Sequence, residues 1–74
     1  MGTVSATRTK SSERVLASLR ELRALYLEMP GMALTLAQAC RLLAKDESVI
    51  RPALDELIAQ GFLQCRESGR YLRP

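Results

Sequence analysis

A chain of 74 residues holds one domain, near the lower size limit for independent folding because so short a chain buries little more than half of its unfolded surface. A hydrophobic fraction of 47% argues against disorder, no apolar run approaches the ~18 residues of a membrane span, and the opening MGTVSATRTK lacks the apolar stretch of a signal peptide, so a soluble cytoplasmic protein is expected. There is no histidine, the commonest general base and metal ligand, so no enzymatic activity, metal or cofactor is expected; the net charge of +3 suits a polyanionic partner without requiring one.

Residues 1–10 are small, polar and basic without periodicity and read as a flexible tail, leaving 11–74 as the folded domain. The segment SERVLASLRELRALYLEM, residues 12–29, reads as a helix with Ser12 as its cap and Glu13 in the first turn. Val15, Leu19, Leu22, Tyr26 and Met29 recur at steps of four and three, and Pro30-Gly31 ends the run. At about 100° per residue, Leu25, Met29, Leu22, Val15, Tyr26, Leu19, Leu16 and Leu27 sweep about 200°, interrupted by Arg23, where one packing face needs about 100°. The surplus, with Leu16 and Leu27 at its edge, predicts a homodimer interface.

A second helix is predicted from Leu36 to about Leu43. Thr35 and Gln38 have the capping-box spacing, and Leu34 with Ala39 the spacing of a hydrophobic staple. A third helix follows almost at once, with Ile50, Leu54, Leu57 and Ile58 on its inner face and Asp46 or Ser48 as its cap. Pro52 favours Ser48, because proline is tolerated in a first turn and costly further in. After Gly61 the pattern turns strand-like: FLQCR and RYLR flank ESG, the signature of a β-hairpin. Leu63, Cys65 and Tyr71 are expected to point inward, and Gln64, Arg66, Arg70 and Arg73 outward. Cys40 and Cys65 lie far apart and outside any CxxC spacing, and both read as small buried hydrophobes.

The whole is mainly α with a small β-hairpin. Leu34-Thr35-Leu36-Ala37, then Leu42 and Leu43, then Ile50, Ala53, Leu54 and Leu57, then Gly61-Phe62-Leu63 and Gly69-Arg70-Tyr71 carry a resemblance to the winged helix-turn-helix family of bacterial DNA-binding regulators. The junction ALDELIAQGFL is the most specific part of it. The resemblance implies a three-helix winged helix-turn-helix fold whose third helix enters the major groove of double-stranded DNA while the hairpin, the wing, lies on the backbone. Arg41, Lys45, Ser48, Arg51, Arg66, Arg70 and Arg73 are then the candidate DNA contacts.

One feature opposes this. In residues 46–60 Arg51 stands alone against Asp46, Glu47, Asp55 and Glu56, and carboxylates facing phosphates cost affinity. Capping accounts for Asp46 and Glu47 without a functional role. The competing expectation is a protein–protein interaction module whose third helix docks a partner through Val49 and Pro52, with the basic hairpin meeting an acidic surface.

Overall fold

The computed structural model describes the backbone of residues 2–74 and the side chains of residues 13–74. Among the described residues it holds three helices and three short strands, in the order α1 (Gly2–Glu28), β1 (Ala33–Thr35), α2 (Leu36–Leu43), α3 (Glu47–Ala59), β2 (Gln64–Cys65) and β3 (Arg70–Leu72). The mainly helical reading with a terminal β-hairpin therefore holds, and β1 is an addition to it. None of these helices is long and apolar enough to cross a membrane.

α1 begins ahead of Ser12, so that residue lies within the helix and does not cap it. The tail expected over residues 1–10 falls where side chains lie outside the described residues. Of the predicted stripe, Leu19, Leu22 and Tyr26 are buried and Val15 half-buried, but Met29 lies past the helix end and is 49% exposed.

α3 is the centre of the core. Ile50, Ala53, Leu54 and Leu57 are fully buried and pack with the α1 residues, with Ala39 of α2 and with Leu63. A buried leucine or isoleucine contributes roughly 1.5–3 kcal/mol relative to an exposed one, so three such positions on one helix, Ile50, Leu54 and Leu57, are a large share of what a domain this small can draw on.

The sheet is antiparallel with strand order β1-β3-β2. Ala33 pairs with Leu72 and Thr35 with Arg70, while Cys65 pairs with Tyr71. A three-residue strand is too short to show the alternation by which strands are read, which is why β1 was not expected. Tyr26 ties this sheet to the helices. Its ring is fully buried and its hydroxyl donates to the Tyr71 carbonyl at 2.5 Å. Burial pushes the Tyr26 phenol up, and a backbone hydrogen bond at Leu34 partly offsets the rise.

Candidate nucleic-acid interface

The two helix ends that aim α3 and the hairpin are built alike. At the end of α2, the Ala44 N–H donates to the Arg41 carbonyl at 3.3 Å and the Lys45 N–H to the Cys40 carbonyl at 3.0 Å. At the end of α3, Gly61 donates to Ile58 and Phe62 to Leu57, both at 2.9 Å. Both are Schellman motifs, in which one residue takes the left-handed conformation so that its neighbours can satisfy the last carbonyls. Gly61 does so at φ 78° and Ala44 at φ 54°, the latter against the steric preference of a residue with a Cβ. The result is a tight α2–α3 turn and an abrupt exit from α3 into the hairpin.

The start of α2 is as expected from the spacing. Gln38 N–H donates to Thr35 Oγ1 at 3.1 Å, and Thr35 N–H to Gln38 Oε1 at 2.9 Å. The start of α3 differs. Its cap is Asp46, not Ser48, and Asp46 caps through its backbone carbonyl alone, without a side-chain hydrogen bond. Pro52 therefore lies inside the helix. The bond it cannot donate would have gone to the Ser48 carbonyl, on an exposed residue where water can serve instead, and this lowers the cost of the misplacement.

Arg41, Lys45, Ser48, Arg51, Arg66 and Arg70 are all exposed. Arg41 and Lys45 line one shallow groove at the α2–α3 turn, but they share it with Asp46 and Glu47, which offset their charge. Ser48 and Arg51 stand on the outer face of α3 together with Pro52, Asp55 and Glu56, while Val49 is half-buried. In the hairpin, Arg66 and Arg70 frame the turn. The Arg66 N–H donates to the Arg70 carbonyl at 2.9 Å, the Gly69 N–H to the Arg66 carbonyl at 2.8 Å, and Gly69 supplies the positive φ of 83°. Arg70 also donates from Nη1 to the Ala33 carbonyl at 3.3 Å, so β1 steadies its guanidinium.

Three expectations for the hairpin fail, the first at Gln64, which is half-buried rather than outward. Cys65 is exposed rather than inward. Leu63 is buried but precedes the two-residue strand, so the alternation counted from it does not carry over to Cys65. Arg73 is half-buried and lies over the Phe62 ring, 4.1 Å from its centre. A guanidinium is weakly hydrated and favours an aromatic face, which draws Arg73 away from the solvent position assigned to it.

Tyr71 was read only as an inward position, and it is half-buried against the core. Its phenol is pushed up by burial first, then by Cys65 and Asp55, and is pulled down by Arg51. Burial first, then Glu47 and Asp46, push up the thiol of Cys40, a half-buried residue of α2. Among the described residues no cluster of three His, Cys, Asp or Glu is placed to hold a metal.

In comparisons with known proteins, no family model, no curated protein and no solved structure matches this chain.

Proposed function

We propose that the chain is a small DNA-binding protein of the winged helix-turn-helix type, a cytoplasmic transcriptional regulator whose α3 enters the major groove and whose β2–β3 hairpin is the wing on the phosphate backbone. The arrangement meets the requirements of that reading: a tight turn between α2 and α3, an α3 whose outer face is open, and a hairpin that leaves α3 directly. The observation that carries it is an Arg51 exposed on α3, followed directly after that helix by a hairpin whose Arg66 and Arg70 are exposed and framed by backbone hydrogen bonds. Backbone contacts of that kind supply affinity without sequence preference, and a single arginine in the groove reads guanine. Arg73 contributes little to the grip while it lies over Phe62.

Self-pairing through Leu16 and Leu27 would add two-fold symmetry, but it sets Arg20 and Arg23, which lie between them on α1, against their counterparts. It is therefore not part of the proposal.

A second reading, docking of a protein on α3, is favoured by Asp55 and Glu56, which are exposed on the face that would meet phosphates. An NMR titration with a random-sequence duplex at low salt separates the two. Shifts at Ser48, Arg51, Arg66 and Arg70 that vanish as salt rises are the expected result. No shift at any salt concentration would replace the DNA reading with the docking one.

A further inference from the structure

The outer face of α1 carries a second feature that DNA binding does not use. At about 100° per residue, Leu16, Arg20, Arg23 and Leu27 fall within about 60° of arc, one above the other along three turns. All four are exposed, the leucines by 45% and 56%. The patch continues off the helix: Arg23 lies over the Phe62 ring, 5.4 Å from its centre, and Arg73 shares that ring. The buried Nε of Arg73 has no hydrogen-bond partner among the described residues. The face is therefore apolar at both ends and cationic in the middle.

Charge decides what can cover it. In an antiparallel pair of two copies, Leu16 meets Leu27 of the other copy, and Arg20 and Arg23 of both copies crowd the centre. A parallel pair sets each arginine against itself. Burying like charges together costs far more than two leucine contacts return. The acidic outer face of α3 in a second copy would match the charge, but it offers no exposed large apolar side chain to cover the leucines. Nucleic acid would satisfy the arginines and leave the leucines in water.

We propose that this face of α1 docks an acidic amphipathic helix of another protein, with apolar side chains over Leu16 and Leu27 and carboxylates on Arg20, Arg23 and Arg73. This is the helix-on-helix mode in which spaced apolar anchors set the register and buried charge pairs set the choice of partner. The proposal does not depend on DNA binding.

The test uses the full chain and a synthetic helical peptide with leucines spaced as Leu16 and Leu27 are and glutamates between them. NMR shifts on the outer face of α1, Phe62 and Arg73 are expected. The affinity should drop at least about tenfold in Arg20→Glu/Arg23→Glu and in Leu16→Ser/Leu27→Ser, with the melting temperature nearly unchanged in the exposed leucine pair and only slightly lower in the arginine pair, which loses the Arg23 contact with Phe62. A peptide with lysines in place of the glutamates should not bind the wild type and should bind the Arg20→Glu/Arg23→Glu variant. Three results would each overturn the proposal: no binding of the acidic peptide, equal binding of the lysine peptide by the wild type, or sedimentation showing that the wild type pairs with itself and that Leu16→Glu abolishes the pairing.

Discussion

α3 and the β2–β3 hairpin adjoin one another but are built under opposite constraints. α3 is fixed from the inside: Ile50, Ala53, Leu54 and Leu57 are fully buried, and its outer face bears more acid than base. The hairpin has no fully buried residue in either strand, and Arg66, Arg70 and Arg73 stand against the single Glu67. A helix that must supply the core keeps few positions for recognition. A hairpin that supplies little core is free to carry charge. In the proposed function this divides the work: the hairpin gives grip, and Ser48 with Arg51 gives what selectivity there is.

The largest effect should come from the inside of α3. Leu54→Ala should destabilise the domain by roughly 2–5 kcal/mol, enough to unfold a protein this small or lower its melting point sharply. A thermal melt within a degree or two of wild type would remove α3 from the centre of the core. On its outside, Arg51→Gln should cut discrimination between duplex sequences by ~1–3 kcal/mol while leaving non-specific binding nearly intact. If competition assays show all sequences weakened alike, Arg51 is a phosphate contact and α3 reads nothing.

The hairpin hangs on Tyr26. Tyr26→Phe removes its hydrogen bond to the Tyr71 carbonyl and should cost ~0.5–1.5 kcal/mol. The same variant should change behaviour in alkali. The phenol titrates at 10.0 when unperturbed and higher in the fold, so the folded state binds the proton more tightly. That part of the stability is complete below pH 10 and falls as the pH rises towards the folded pKa; Tyr71 adds a change of the same sign. Chemical denaturation repeated above pH 10 should show a shallower decline in Tyr26→Phe than in wild type.

Smaller effects are expected at the two left-handed residues. Ala44→Gly should stabilise by on the order of 0.5–1 kcal/mol by relieving the Cβ. Gly61→Ala should destabilise by about the same amount, since a Cβ there meets no atom within 4 Å and only the backbone resists it. Melts in which both substitutions move stability in one direction would contradict these two turns.

What could be read beforehand follows the range of the forces involved. The Thr35–Gln38 capping box and the limits of α2 are local, and the sequence pattern located them. So too did the buried face of α3, whose repeat spans three turns, and Gly61, whose left-handed φ only glycine takes at no cost. The misses are tertiary. β1 exists because β3 is there to pair with it. Arg73 turns inward because Phe62 offers a ring, and Phe62 comes eleven positions earlier with no periodic link between them. Pro52 misled because the penalty for a proline inside a helix, a lost hydrogen bond and a clash with the carbonyl four residues back, disfavours that position without forbidding it. Of the candidate contacts, exposure was legible for six, and the compensation of Arg41 and Lys45 by Asp46 and Glu47 emerged only once the turn brought them into one groove.

The division between grip and selectivity is tested most directly by the salt dependence of duplex binding in wild type and in Arg66→Gln/Arg70→Gln. Each phosphate contact contributes ~0.9 to the slope of log K against log salt, so the double variant should bind every duplex more weakly and lose about 2 from that slope. An unchanged slope would take the hairpin off the backbone, and a wild type that binds no duplex at low salt would contradict the DNA-binding function itself.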